Sequence, residues 1–232
     1  LEGCVQPAIA PDINAAAARV LDRLGISLIA APGAGCCGAA SQHTSGFEEA
    51  KAFARRNIDA WWPSIEQGAE AIVMTASGCG VHVRDYGHFL HDDPVYAEKA
   101  RRVAELTRDL GEVVAGEDLT TLRAAVRSGR KVAFHSPCSL QHGQKLNGVV
   151  ETTLRALGFE LTAVPESHLC CGSAGTYSIL QPRLSRELRD RKVTALGSGQ
   201  PEVIATANIG CLAHLQSGTA TPVVHWIELL GK

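Results

Sequence analysis

The triplet Cys-Cys-Gly occurs twice in this chain, and a lone cysteine precedes each copy at the same distance. Cys36 lies 32 residues after Cys4, and Cys170 lies 32 residues after Cys138. One further cysteine follows each triplet, so the eight cysteines form two sets of four. The sets are Cys4, Cys36, Cys37 and Cys79, and Cys138, Cys170, Cys171 and Cys211. A long internal repeat of this kind predicts two structural units of the same type.

The hydrophobic pattern between the cysteines predicts strands that alternate with helices in both copies. Strands are predicted at residues 26–31, 71–75, 131–135, 159–164 and 203–206. Helices are predicted at residues 12–24, 47–67 with an interruption near Pro63, 94–114, 149–157 and 182–196. This alternation predicts βαβ units. We therefore expect an α/β fold of two tandem repeated cysteine-rich domains, residues 1–127 and 128–232, each a small, mainly parallel sheet flanked by helices.

The cysteines follow the predicted strands at their carboxyl ends, where ligands bind in parallel sheets. For Cys4 the corresponding strand is expected upstream of Leu1, and the start on leucine suggests a fragment of a longer protein. Because several strand ends meet at one edge of a sheet, the four thiols of each set are expected to converge.

Converged thiols suit a disulfide, a zinc site, an iron–sulfur cluster or a cysteine-rich core. Disulfides are disfavoured because nothing indicates export, and zinc because its ligands usually come in C-x2-4-C pairs. A core of eight cysteines leaves the repeated spacing unexplained. Iron–sulfur clusters are held mainly by cysteine thiolates, so this is the favoured interpretation. Gly38 and Gly172 would let the backbone approach such a cluster.

The charge and hydropathy of the chain limit its partners. A formal net charge of −2 gives no indication of nucleic-acid binding. The sequence has no apolar run near the roughly 20 residues of a transmembrane helix. We therefore expect a cytoplasmic protein without a transmembrane segment, with peripheral binding to the inner face of the membrane as an option.

The cysteine pattern resembles the CCG or cysteine-rich domain that occurs twice in one of the subunits of heterodisulfide reductase and in iron–sulfur subunits of flavin-linked dehydrogenases. Longer words are similar to the family of glycolate oxidase iron–sulfur subunits. These words are residues 1–7 (LEGCVQP), 57–63 (NIDAWWP), 140–142 (LQH), 144–148 (QKLNG) and 167–177 (SHLCCGSAGTY).

This resemblance implies an oxidoreductase complex in which flavoprotein partners carry FAD and oxidise glycolate. The chain would supply one or two iron–sulfur clusters, expected to be 4Fe-4S, and would pass electrons to an acceptor. No catalytic residue is identified in the chain itself. An upstream ferredoxin-like domain of the family is absent from the sequence. An iron–sulfur subunit of a lactate or glycerol 3-phosphate dehydrogenase is the nearest alternative.

Each repeat departs from heterodisulfide reductase at its last element. Where that protein has Cys-x-x-Cys, this chain has Cys-x-x-His, ending at His82 and His214. The change argues against a five-thiolate cluster and against disulfide reduction on it. A disulfide- or quinone-reducing subunit of the heterodisulfide reductase type stays as an alternative. The two histidines, together with His135 and His168 near the second set, are candidate cluster ligands or hydrogen-bond partners of the ligands.

Overall fold

The computed structural model describes residues 1, 3–126 and 129–231. The predicted domain boundary between residues 127 and 128 lies outside the described residues. The helices of the first half are α1 (Gln6–Ile9), α2 (Asp12–Arg23), α3 (Ala39–His43), α4 (Phe47–Glu66), α5 (Ser77–Arg84), α6 (Tyr86–Phe89), α7 (Ala97–Leu106), α8 (Leu110–Ala115) and α9 (Thr120–Ala125). The second half has a π-helical turn (Ser139–Gly143), α10 (Val149–Ala156), α11 (Tyr177–Leu180), α12 (Pro182–Gly197), α13 (Ile209–Gln216) and a 3₁₀ turn (Trp226–Leu229).

All strand pairs are parallel, and they form one sheet in each half. The strands are β1 (Ile72–Met74), β2 (Thr107–Asp109), β3 (Lys131–His135), β4 (Glu160–Leu161), β5 (Val203–Thr206) and β6 (Val223–His225). The first sheet contains β1 and β2, and the second has the order β4-β3-β5-β6. Helices flank both sheets, so the predicted α/β class and the repeated parallel sheets are confirmed.

The structure corrects four details of the predicted elements. Residues 26–31 form no strand, and the predicted strand at 159–164 is reduced to β4. The predicted helix at 94–114 is divided by β2, because residues 107–109 pair with β1. Pro63 does not interrupt α4, which continues to Glu66.

One hydrophobic core is shared by the two halves. The apolar face of α2 includes Ile13 and Leu21, both fully buried, and belongs to the same cluster as Phe134, Leu154 and Trp226. The Arg19 side chain also donates a hydrogen bond to the carbonyl of Gly231 at 2.8 Å. Helix α2 is therefore packed against the second half of the chain.

A polar junction of Ser77, Ser139, Asn208, Gln144 and Asp109 joins the halves near the strand ends. The hydroxyls of Ser77 and Ser139 lie 2.8 Å apart, and the Asn208 amide donates to Ser77 at 3.3 Å. The Gln144 amide donates to the Ser77 carbonyl and to Asp109. This junction fixes the relative position of the helices that carry Cys79 and Cys211. Within the described residues, no helix combines the length and hydrophobicity that a membrane crossing requires.

Candidate metal centres

The first four cysteines converge as the repeat predicted. Hydrogen-bonding contacts link the thiol of Cys4 to Cys36, Cys36 to Cys37, and Cys37 to Cys79. All four are free thiols; Cys37 is buried and Cys4 is exposed. Three separate segments therefore bring sulfur atoms to one place: the chain before α1, the loop before α3, and the first turn of α5.

The second set has the same arrangement. The thiol of Cys138 contacts Cys170, Cys170 contacts Cys171, and Cys171 contacts Cys211. These thiols are also free, and both Cys171 and Cys211 are buried. Cys138 follows β3 and Cys211 lies in α13 directly after β5, so the carboxyl ends of neighbouring parallel strands position them.

The thiol pKa values show how each set shares protons. Hydrogen bonding from Cys37 lowers the pKa of Cys79, whereas hydrogen bonding to Cys37 and burial raise that of Cys36. In the second set, hydrogen bonding from Cys171 lowers the pKa of Cys211, and hydrogen bonding to Cys170 raises that of Cys138. Each set thus ionises incompletely without a compensating positive charge. Bound metal supplies that charge and makes all the thiolates stable together.

The glycine of each doublet has a left-handed backbone, with φ of 92° at Gly38 and 90° at Gly172. The Gly38 N–H donates to the sulfur of Cys36 at 3.5 Å, and the Gly172 N–H donates to that of Cys170 at 3.3 Å. A Cβ at Gly172 would lie 2.3 Å from the carbonyl of Ser185 in α12. Glycine at this position thus allows α12 to pack closely. Its left-handed backbone also lets the N–H donate to the cysteine sulfur.

His135 lies beside the second cysteine set. One of its ring nitrogens and the sulfurs of Cys171 and Cys211 all lie within 4.8 Å of one another. The ring is buried, and neither nitrogen has a nitrogen or oxygen partner among the described residues. An unpartnered imidazole beside two thiols has the chemistry of a ligand or of a hydrogen-bond donor to a ligand.

The other predicted histidines have different surroundings. His214 Nε2 lies 3.1 Å from the hydroxyl of Ser185, which donates to the Gly172 carbonyl at 2.8 Å. His82 is buried against Phe89 and Tyr86, and burial lowers its pKa to about 4. The side chain of His168 is exposed.

Three supporting side chains were not identified from the sequence. The Asn57 amide and the Tyr86 hydroxyl donate to the carbonyls of Cys36 and Cys37 at 2.9 and 2.7 Å. In the second half, the Lys192 ammonium donates to the carbonyls of Glu166 and Ser167. Lys192 sits in a strongly polar helix, so no hydrophobic pattern marks it as buried. Asn57 lies in the NIDAWWP word, whose resemblance to the family gave no role for this residue.

The sequence matches the family described as "Cysteine-rich domain" (CCG) over residues 1–84 and 132–216. It is 60% identical to the glycolate oxidase iron-sulfur subunit of Escherichia coli (strain K12), over 99% of this chain and 56% of that protein. It is 28% identical to the probable glycolate oxidase iron-sulfur subunit of Bacillus subtilis (strain 168), over 93% and 48% of the two chains.

A third relative is "Lactate utilization protein A" of Bacillus velezensis, which is 30% identical over 91% of this chain and 87% of its own length. The chain thus spans about half the length of the two glycolate oxidase relatives. These matches confirm the resemblance that the motifs predicted, including the presence of two cysteine-rich repeats.

Proposed function

Since this chain belongs to the cysteine-rich domain family CCG, we propose that it is the cluster-holding part of an iron–sulfur electron-transfer subunit in a glycolate-oxidising complex. The observation that carries the proposal is the convergence of two sets of four free thiols, in which Cys79, Cys138 and Cys211 follow the carboxyl ends of parallel strands. The similarity to glycolate oxidase iron-sulfur subunits supports the substrate assignment.

In the proposed sites, the four cysteines of each set are the metal ligands, and a 4Fe-4S cluster is the proposed cofactor of each. Such a cluster supplies one-electron redox chemistry when bound. The protein residues hold and shield it. The N–H groups of Gly38 and Gly172 donate toward Cys36 and Cys170, which stabilises thiolate charge. His135 is a proposed ligand or hydrogen-bond donor of the second site, and His82, His214 and His168 are assigned indirect roles.

The wider assignments also belong to this proposal. FAD-bearing flavoprotein subunits would oxidise glycolate, and an upstream ferredoxin-like domain would complete the electron path. The complex is expected in the cytoplasm or at the inner face of the membrane. The proposed units are residues 1–127 and 128–232. Each contains one cysteine set, part of which lies in a hydrophobic cluster of its own, and a further cluster joins the two halves.

A second candidate substrate is lactate, which the match to lactate utilization protein A over 87% of that protein favours. Both assignments give this chain the same cluster-holding role. They differ in the hydroxy acid that the partner oxidises, so the chain's own residues do not discriminate between them.

The test is iron and sulfide analysis, with EPR spectroscopy, on the full-length gene product purified without oxygen together with its associated subunits. Cys79→Ser and Cys211→Ser should each remove the signal of one site and about half the iron bound by this part of the protein. His91→Ala, on an exposed side chain with no assigned role, is the control and should change neither. A folded protein without iron would refute the proposal, and glycolate- against lactate-dependent reduction would separate the two substrates.

A further inference from the structure

The two sheets have unequal numbers of strands, although the halves repeat each other. The words Thr75-Ala76 and Thr206-Ala207 make β1 the counterpart of β5. In the second half, β5 pairs with β6 on one edge and with β3 on the other. In the first half, β1 pairs with β2, and no strand of the described residues pairs with its other edge. The first sheet thus lacks the counterparts of β3 and β4.

A cavity of about 1260 Å³ lies beside this free edge. Its apolar lining includes Ile72 of β1, Trp61 and Ile65 of α4, and Leu28 and Ile29. Leu28 and Ile29 are 45% and 62% exposed. They belong to residues 26–31, whose counterpart in the second half contains β4. Residues 26–31, which the sequence predicted as a buried strand, therefore lie on the opposite side of the cavity from the free edge of β1.

The register of the repeat specifies what is missing. Cys4 corresponds to Cys138, so Leu1 corresponds to His135, the last residue of β3. His135 lies opposite Thr206. The counterpart of Thr206 in β1 is Met74, because Thr206 pairs with the capping residue His225 and Met74 pairs with the capping residue Asp109. The Leu1 amino group already donates to the carbonyl of Val73 at 2.9 Å, a contact of the kind that a parallel strand ending at residue 1 would make with β1.

We propose that the cavity is the seat of a parallel β-strand formed by the polypeptide directly upstream of Leu1 in the full-length protein. The strand would lie between β1 and residues 26–31, as β3 lies between β5 and β4. It would be strongly apolar, because four of the five β3 residues are buried and a strand covered on both faces is hydrophobic throughout. Its insertion converts residues 26–31 into an edge strand and covers Leu28 and Ile29.

The strand also bears on the first cysteine set, a consequence that rests on the proposed function. Cys138 is partly buried directly after β3, whereas Cys4 is exposed. An upstream strand would fix Cys4 as β3 fixes Cys138. The full-length protein would then hold metal at the first site more tightly than the 232-residue chain, while the second site would be the same in both.

Amide hydrogen exchange of the 232-residue chain and the full-length protein, both metal-free and reduced, tests the strand without depending on metal. Residues 26–31 and 72–74 should exchange at least about tenfold more slowly in the full-length protein, with residues 203–206 as the internal control. Ile29→Lys in the full-length protein should abolish the added protection, whereas Ile179→Lys, at a 77% exposed position outside the cavity, should not. Equal exchange in the two chains would overturn the proposal. Slower exchange in a full-length protein that carries no iron when it is purified without oxygen would leave the strand standing and refute the metal function.

An independent observation concerns the unequal charges around the two cysteine sets. A Cβ at Gly38 would contact Ala50 and Phe53, and one at Gly172 would contact Ser185 and Leu188. These contacts align α4 with α12 at an offset of 135 residues. The alignment places Asn57 and Lys192 at equivalent positions.

Lys192 is 2% exposed. Burial lowers the pKa of its ammonium, and the nearby charges of Cys171 and Cys170 oppose this by favouring the charged form. Asn57, its counterpart at the first set, is neutral. The first set does have Arg56, which donates to the Cys36 carbonyl at 3.3 Å, but this side chain is exposed and water screens it. The second set therefore lies next to the less screened positive charge.

From this asymmetry we infer, on the basis of the proposed function, that the second site has the higher reduction potential and is the electron-accepting member of the pair. A nearby buried cation stabilises the reduced, more negative form of a cluster. Lys192 acts as a tuning residue, because its ammonium contacts backbone carbonyls rather than the ligands themselves.

EPR-monitored redox titration of the full-length protein tests this order, with the second signal identified by its loss in Cys211→Ser. Lys192→Gln should lower the midpoint potential of that signal and leave the first unchanged, and Lys192→Arg should restore it. Arg56→Gln is the matched control and should shift the first signal less. A second site with the lower potential, or one unmoved by Lys192→Gln, would overturn the inference. Absence of either cluster would instead count against the proposed function.

Discussion

Asp109 gives the most direct test of the buried polar junction between the halves. Its carboxylate is 2% exposed, and burial raises its pKa from 3.8 to about 6. The Gly111 N–H and the Gln144 amide both donate to it, but these contacts do not offset the cost of burying the charge. The folded state therefore retains the proton at pH values where the unfolded chain has lost it.

The sign and size of the effect follow from this difference. Stability from this group is complete below the unfolded pKa of 3.8 and is lost as the pH rises through about 6. A shift of about 2 pKa units corresponds to about 3 kcal/mol in the free energy of unfolding, of which about 2 kcal/mol is lost between about pH 4.5 and about pH 7.5.

Asp109→Asn removes the titrating proton and can keep hydrogen bonds to Gly111 and Gln144. The asparagine oxygen can accept from Gly111 as an N-cap. The Gln144 Oε1 atom has no partner among the described residues, so rotation of that amide lets it accept from the new side-chain N–H. The variant should therefore be more stable than the parent chain near neutral pH, with an advantage that shrinks as the pH falls.

Urea unfolding of both reduced, metal-free proteins at several pH values measures this advantage. His82 and His225, whose pKa values burial lowers to about 4, titrate in both proteins and cancel in the difference. Asp118→Asn is the control, because hydrogen bonds from Thr120 lower the pKa of this exposed carboxyl and give the opposite sign. An advantage of Asp109→Asn that does not vary with pH would show that the ionisation of Asp109 does not control stability.

Three further outcomes are expected in unfolding experiments. Gly172→Ala should lower the free energy of unfolding by more than about 3 kcal/mol, because the added Cβ would clash with α12. Gly148→Ala, where φ is also positive but the space is open, should lower it by about 1 kcal/mol. Similar losses would contradict the close approach of α12. Ile13→Ala should lower the free energy of unfolding by about 2–5 kcal/mol and shift the midpoint of a single unfolding transition common to both halves. Val95→Ala, on an exposed side chain, should change stability by less than about 0.5 kcal/mol. Two separate transitions would contradict the shared core. The parent protein should lose stability as the pH falls from 6.5 to about 4, because the unfolded chain takes up a proton at His82 before the folded one does. His82→Phe should lose up to about 3 kcal/mol less over this range. An unchanged pH profile, measured by circular dichroism, would contradict the burial of a neutral imidazole.

The sequence was sufficient for the features that depend on local pattern and on the repeat. Buried runs such as residues 131–135 and 203–206 were predicted with the bounds that β3 and β5 have, because short apolar segments between turns specify strands. The grouping of the cysteines also followed from spacing and from the rule that ligands gather at strand ends.

Features that depend on tertiary partners were not predictable in this way. Thr107–Asp109 has no strand signal of its own and joins the sheet because β1 lies beside it. Conversely, residues 26–31 have a strand pattern but no pairing partner among the described residues. The contact of His135 with Cys171 and Cys211 joins residues far apart in sequence, so position in the repeat alone did not distinguish this histidine from His168.

The packing of α2 against the 3₁₀ turn at Trp226–Leu229 has a consequence for biosynthesis. As the ribosome makes the chain, α2 emerges about 200 residues before Trp226 and Ile227, which complete its burial. Until then its apolar face is available to chaperones or to wrong partners, as expected for a fold dominated by distant contacts. Loading of the first cysteine set during translation would therefore take place on an open structure, and closure of the core would come only when synthesis reaches the second half.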